Sequence, residues 1–465
     1  MPKSILSDVA ARRKRSLLFE RLDHRCLLAA LLPGHHDIPD FVASPTVSSV
    51  QSGGWNDPQT WSGNRVPTTD DLVRVSHGHT VRLVSQAADV SAIGVHGDLE
   101  IATEVRVDNV IVYHHGHLSM LPGTEMIFAD GQLDLANDPL QWGQALIVQG
   151  EWTATGEEKT PYVRATGDIP VGATSFVADQ IPTNWQVGDT LVLPETAQSS
   201  LSRTGGLLEQ SETVKIAGID GNRIHFDQPA KFPHHGISPN PFGVQRFAHV
   251  ANLTRSITLR SENPSGLRAH TVVTHHADVD LENVAFVGLG RTSAHRPVND
   301  SVINDTTTHI GTNPAGRYPF HAHHLHGSLS LTGSVVEDGE KWGITIHRTN
   351  DAVVENNVVY DTDGAGIATE DATEVGNVFA GNLVIKVDGG HQFRDLRAGA
   401  RQTGGVPLGT PEVELGADGS GFWFRGPANV VRDNFVYDAN GYGYNYNGYY
   451  QEDGQTRQVQ EFRDN

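Results

Sequence analysis

Cysteine, positive charge and helical periodicity are all scarce in this chain of 465 residues. Its single cysteine, Cys26, lies close to the N-terminus, so the rest of the chain has no disulfide and no cysteine-ligated metal site. An exported protein without disulfides suits a bacterial surface better than an animal one. Lysine and arginine number 34 against 55 acidic residues, a formal charge of −21. That balance argues against a nucleic-acid binder, which needs a basic face to displace counterions. It also argues against a broad surface for anionic polymers and leaves a local arginine cluster as the route to one. No segment keeps a 3.6-residue period beyond about three turns. No apolar run approaches the roughly 20 residues that span a bilayer.

What the chain does have is 49 glycines and short runs of Val, Ile and Thr broken by Gly, Asp or Asn. Strands and tight turns follow from that composition, so the fold class is all-β. Residues 1–35 read as an export leader. Arg12, Arg13, Lys14 and Arg15 precede a short apolar run from Cys26 to Leu32, the charge-then-apolar order of a secretory signal. The stretch from Phe19 to Ala29 also resembles the leader of planctomycete surface proteins. The expected location is therefore secreted or cell-surface.

Folding is expected to begin near Gly54-Trp55. Val73 and Val75 precede a turn at His77-Gly78-His79, and Val81 and Leu83 follow it. Gly97-Asp98-Leu99 and Gly116-His117-Leu118 repeat one turn-then-strand phrase. The histidines of this region, His77, His79, His114, His115 and His117, read as solvated turn residues. Trp55, Pro58, Thr60-Trp61, Gly63, Val66-Pro67, Asp71, Val73, Val75, Gly78 and Val81 together resemble a G8 domain, the module of cell-migration-inducing hyaluronidases and fibrocystin-like proteins. The expected boundaries are 50–180 for this module, 181–265 for connecting β-structure and 266–465 for a solenoid.

The solenoid is inferred from a degenerate repeat, a small polar residue followed by a β-branched strand. It occurs at Asn283, Ser334, Asn357, Asn382 and Asn434, with intervals of 51, 23, 25 and 52 residues. Coils of about two dozen residues with a recurring asparagine indicate a parallel β-helix. The double-length intervals hold insertions at about 291–316 and 391–420. Both leave the same turn of the coil, so both overhang one edge, where a cleft would form.

Register then aligns side chains. Thirteen residues after Ser334 comes His347, and thirteen after Asn357 comes Glu370; eleven before Ser334 is His323. Alternation sends Phe320, Ala322, Ile344 and Ile346 inward and His321, His323 and His347 outward. On the next coil the row is expected to reach Trp423 in the strand, with Asp395 in the overhanging loop. Such a row suits acid–base catalysis, and it also suits divalent-metal binding by His321, His323 and His347. Arg317, Arg394 and Arg397 are candidates to grip an acidic group. Trp342, Trp423 and the tyrosines from Tyr442 to Tyr450 are candidates to stack on sugars.

Gly316-Arg317-Tyr318-Pro319-Phe320-His321-Ala322-His323 resembles a phrase of the hyaluronidases that carry the G8 module. Thr345-Ile346-His347, the run from Val354 to Asp361, Glu370-Asp371 and Phe422-Trp423 follow in the same order. The resemblance implies a right-handed parallel β-helix that binds or cleaves extracellular polysaccharide, with calcium dependence in animal members. This chain lacks their disulfides and shows no lectin-like domain. The ending Gln460 to Asn465 suggests that the chain continues. The leading expectation is a polysaccharide hydrolase or lyase with His321, His323, His347 and Glu370 reactive and Arg317 holding the sugar. In it His323 or His347 is the base and Glu370 the acid or a metal ligand. The alternatives are a non-catalytic glycan-binding or adhesive surface protein, and a metal-dependent hydrolase using His321, His323 and His347 around zinc or a similar ion; calcium or another divalent metal is the expected cofactor, if there is one.

Overall fold

The structure, a computed structural model, describes residues 38–197, 209–236, 246–296, 298–304, 307–389, 416–447 and 461–465. The expected leader, Arg394, Asp395, Arg397 and most of the second insertion lie outside the described residues. Short β-branched strands wind into a parallel coil with three faces. The site face stacks Val47–Ser48, Leu72–Val75, Ala145–Val148, His270–His275, Phe320–Leu325, Trp342–His347, Ala365–Thr369, Ser420–Arg425 and Tyr444–Asn447. A second face includes Glu125–Phe128, Ile257–Ser261, Val284–Val287, Val335–Gly339, Val358–Asp363, Leu383–Asp388 and Phe435–Ala439. The third is an 11-stranded parallel sheet. Ala88–Val95 and Glu104–Val112 are long enough to lie on both of the first two faces, which joins those faces into one 18-stranded sheet. Among the described residues no helix is long and apolar enough to cross a membrane.

The parallel register begins at Val47 rather than at 266, so the N-terminal module forms the first coils. Those coils are short: Leu72, Ala92 and Asn109 are register partners only 20 and 17 residues apart. They also lack the asparagine phrase, and so the later repeat did not reveal them. Trp55 and Trp61 are completely buried among them, edge to face at 5.0 Å, and the Trp61 indole donates to Trp55 O at 2.6 Å. The resemblance-bearing tryptophans therefore fill the core beside the first coil.

The middle of the chain leaves the coil after Glu151–Thr155 and returns at Ile257–Ser261. It builds a separate antiparallel sheet, Tyr162–Arg164, His249–Asn252, Thr190–Leu193, Glu212–Asp220, Arg223–Phe226 and Ser175–Val177 in spatial order. Val192, Ala251 and Leu253 of this sheet pack on Val335, Val358, Leu383 and Ile385, covering the second face. The two later insertions do leave from one corner: each follows a second-face strand and precedes a site-face strand. The first insertion carries a small hairpin, Val302–Asn304 with Thr307–His309.

Buried asparagines hold the C-terminal coils in register. The Asn382 side-chain oxygen accepts from both the backbone N and the side chain of Asn357, while its own amide donates to Val354 O. Asn434 does the same for Asn382, and Asn465 for Asn434. A second ladder, Asn377 to Asn429, serves the neighbouring turn. Asn283 does not belong to the first ladder. Ala285 pairs with Val335, so Ser334 faces Val284, and the interval is one residue shorter than the repeat suggested. Asn283 instead occupies the left-handed corner (φ 56°), the position of Gly333 and Gly381 in later coils. Asparagine and glycine both tolerate that conformation.

Asn382→Ala orphans a buried backbone N–H and a carbonyl, each worth roughly 1–3 kcal/mol. Urea denaturation is expected to show a loss of about 2–4 kcal/mol, against under about 1 kcal/mol for Asn283→Gly.

Candidate active site

Three successive coils end their site-face strands at one place. Phe320 and Ala322 are completely buried in the core, which turns His321 and His323 outward. His323 pairs with His347, and Ile346 with Thr369, so Glu370 follows as the third member of the row. The expected stacking of His323, His347 and Glu370 is therefore what the register produces. The imidazoles gather closely: ring centroids are 4.9 Å apart for His321–His323, 4.9 Å for His323–His347 and 5.8 Å for His321–His347. One ring nitrogen from each lies within 4.8 Å of the others.

Carboxylates surround His347 on its far side. Its Nδ1 lies 3.2 Å from Glu370 Oε2, and its Nε2 lies 3.1 Å from Asp371 Oδ2. Asp371 also accepts from the Arg348 guanidinium. Glu374, completely buried, accepts from the backbone N of Arg348 at 2.9 Å and of Asp371 at 3.0 Å. That carboxylate ties together the two turns that position His347 and Asp371.

Burial alone would lower the His347 pKa, but the Glu370 charge and the Asp371 hydrogen bond outweigh it and raise the ring to about 9. Burial pushes Asp371 up, and the His347 and Arg348 partners more than reverse this, leaving it well below the carboxylate range. For His321 and His323, burial, then neighbouring positive charge, holds both well below the ordinary histidine value. His321 Nδ1 lies 3.0 Å from Gly316 O, so that nitrogen carries the proton. The cluster thus combines neutral imidazoles with one cationic imidazole.

The other expected site residues play different parts. Arg317 is buried and donates to Gln141 O (2.9 Å), Ala315 O (2.7 Å) and Leu140 O (2.6 Å), with Trp142 4.1 Å beneath the guanidinium. Three of its five N–H donors are thus committed to backbone carbonyls, which braces the loop. Trp342 and Trp423 are buried as well, stacked at 5.5 Å, and the Trp342 indole donates to Gly416 O at 2.6 Å. With Tyr318 they form a wall beside His321, closed to a sugar face. Trp423 also does not continue the row. It faces Ala368, which puts Arg425 beside Glu370, and Arg425 donates to Glu370 O at 2.6 Å. The back-count from Asn434 missed by two residues because this coil is shorter between its site-face strand and the asparagine. Of the expected tyrosines, Tyr442 is exposed and Tyr444 and Tyr446 are partly buried; Tyr449 and Tyr450 lie outside the described residues.

The segment that carries this centre is similar to a known family. Residues 299–464 match the model of the CEMIP beta-helix. Mouse fibrocystin-L is 23% identical over 434 residues, covering 84% of this chain and 10% of its own length. A G8 domain-containing protein of Dictyostelium discoideum is 23% identical over 416 residues, covering 82% and 26%. The chain is a G8- and CEMIP-like parallel β-helix protein. It spans between a tenth and about a quarter of the length of these two relatives. All members of the histidine–carboxylate cluster fall within the CEMIP-like segment. Among solved structures, the tailspike gp49 from Pseudomonas phage LKA1 is 11% identical, with a TM-score of 0.20 over 76% of this chain and 50% of its own.

Two predictions follow from these placements. Arg317→Ala should lower the melting temperature by several degrees while leaving ligand affinity of the folded fraction unchanged, as followed by thermal denaturation and binding on one sample. For His347, the folded value of about 9 exceeds the ordinary 6.5. Its contribution is therefore complete below pH of about 6.5 and disappears as pH rises through about 9. Without metal, the stability difference between wild type and His347→Gln should shrink across that window.

Proposed function

We propose that the chain processes an extracellular polysaccharide, with His321, His323, His347 and Glu370 as the reactive centre. The observation that carries this reading is the convergence of three imidazoles and the Glu370 and Asp371 carboxylates at the ends of three successive coils. Glycosidic cleavage needs a proton donor near the leaving oxygen and an acceptor on the other reacting partner. The cationic His347 is suited to donate; the neutral His321 and His323 retain acceptor nitrogens. Environments that push neighbouring pKa values apart are a mark of acid–base sites. This replaces the expected assignment, in which His347 was one of two candidate bases.

The fold family supports the substrate class. The G8 and CEMIP-like resemblance implies extracellular glycan, and the two insertions both leave the coil at the corner that precedes the site face. Arg348, whose side chain is 40% exposed and lies against Asp371, takes the place of Arg317 as the cation at the mouth. Secretion or surface display is part of the same proposal.

Depolymerisation of a panel of acidic and neutral polysaccharides, with and without calcium, tests the reading. Wild type should shorten at least one acidic polymer, and His323→Ala and Glu370→Ala should each slow it by about 100-fold or more. An unsaturated product would assign a lyase. Binding without cleavage, unchanged in both variants, would replace the enzyme with a glycan-binding surface protein.

A further inference from the structure

We infer that His321, His323 and His347 form a binding site for one divalent transition ion of the zinc type. The inference concerns the same residues as the proposed centre but does not depend on which polymer they act on. It rests on how the ring nitrogens are committed. His321 places Nδ1 against Gly316 O, and its buried Nε2 has no hydrogen-bond partner. His347 places Nε2 against Asp371, while its buried Nδ1 makes no hydrogen bond of acceptable geometry. In both rings one nitrogen is anchored by an acceptor, and one ring nitrogen of each of the three histidines lies within 4.8 Å of the others. Metal-binding histidines are held this way, the outer acceptor fixing both the tautomer and the ring direction. Asp371 and the Gly316 carbonyl are thus the outer partners, and Glu374 and Arg348 hold Asp371 in turn.

The donor set selects the ion. Three imidazoles suit zinc, cobalt, nickel or copper. Calcium takes six to eight oxygens, whereas the group of potential ligands found among the described residues is three imidazoles. Two nitrogens about 2.0–2.1 Å from a tetrahedral ion would sit roughly 3.3 Å apart. The present limit of 4.8 Å therefore requires the rings to close by about an ångström or more on binding. Glu370 Oε2, 3.2 Å from His347 Nδ1, is placed to take the fourth position or to hold a water there. Protonated and ion-bound His347 are alternative states of one centre, since the proton and the ion compete for Nδ1.

Exposed histidines elsewhere also attract metals, so the test must separate them. His77, His114, His115, His276 and His326 lie in turns at the end of the site-face strands and are exposed. Protein stripped with chelator would be titrated with zinc by calorimetry and with cobalt(II) by visible absorption, and dialysed to count retained ions. The expected result is one retained ion per chain, with the intense visible bands of four-coordinate cobalt. His323→Ala should abolish retention, and Asp371→Asn should weaken it by about 10–100-fold. The double variant His114→Ala/His115→Ala should change neither. Thermal melts without metal establish that each variant is folded; should His323→Ala fail to fold, Asp371→Asn carries the test. No retained ion in wild type, or retention that follows His114 and His115, would overturn the inference. Metal binding without depolymerisation would leave this site standing and remove the proposed substrate, whereas depolymerisation undiminished in chelator with no retained ion would do the reverse.

Discussion

Everything distinctive in this molecule depends on the hydrogen-bonded register between one coil and the next. Parallel pairing fixes each residue opposite a single partner, and a one-residue slip would exchange the inward and outward sets. The asparagines that accept from the neighbouring coil, completely buried at Asn357, Asn382 and Asn434, lock this register from Ser334 to Asn465. Backbone groups at the corner cannot reach water, so each rung must be satisfied by the side chain on the next. The ladder is a structural device, and its consequence is chemical.

That consequence is a site assembled from residues distant in sequence but adjacent in stack. His323, His347 and Glu370 stand on successive coils. The core beneath them, Phe320, Ala322, Ile344 and Ile346, cannot shift without opening cavities. The separate sheet inserted near 160 covers the second face. Electrostatics then divides the histidines. Those flanked by aromatic rings stay neutral, and the one flanked by Glu370 and Asp371 holds its charge.

Much of this was legible because period-two alternation and the asparagine repeat are local signals. The outward direction of His321, His323 and His347 followed from alternation with Phe320 and Ala322. The alignment of Glu370 with His347 followed from equal spacing to Ser334 and Asn357. The start of the solenoid was hidden because coils near Leu72 and Ala92 are shorter and carry no asparagine. Asn283 misled by one residue because asparagine also serves a left-handed corner. Arg317, Trp342 and Trp423 read from sequence as candidate substrate contacts because residue type does not disclose burial; the loop carbonyls and Gly416 that their donors meet lie far away in sequence. Asp371, Glu374, Arg348 and Arg425 were missed as site residues. Only Asp371 carried a signal, as a second carboxylate next to Glu370.

The central claim is that coil stacking brings His347 and Glu370 into direct contact. A double-mutant cycle of His347→Gln and Glu370→Gln, read as unfolding free energy at neutral pH without metal, measures that contact. The account predicts that the two changes are non-additive by roughly 1–3 kcal/mol. Additivity within about 0.5 kcal/mol would contradict it, because the two residues would then not share a site.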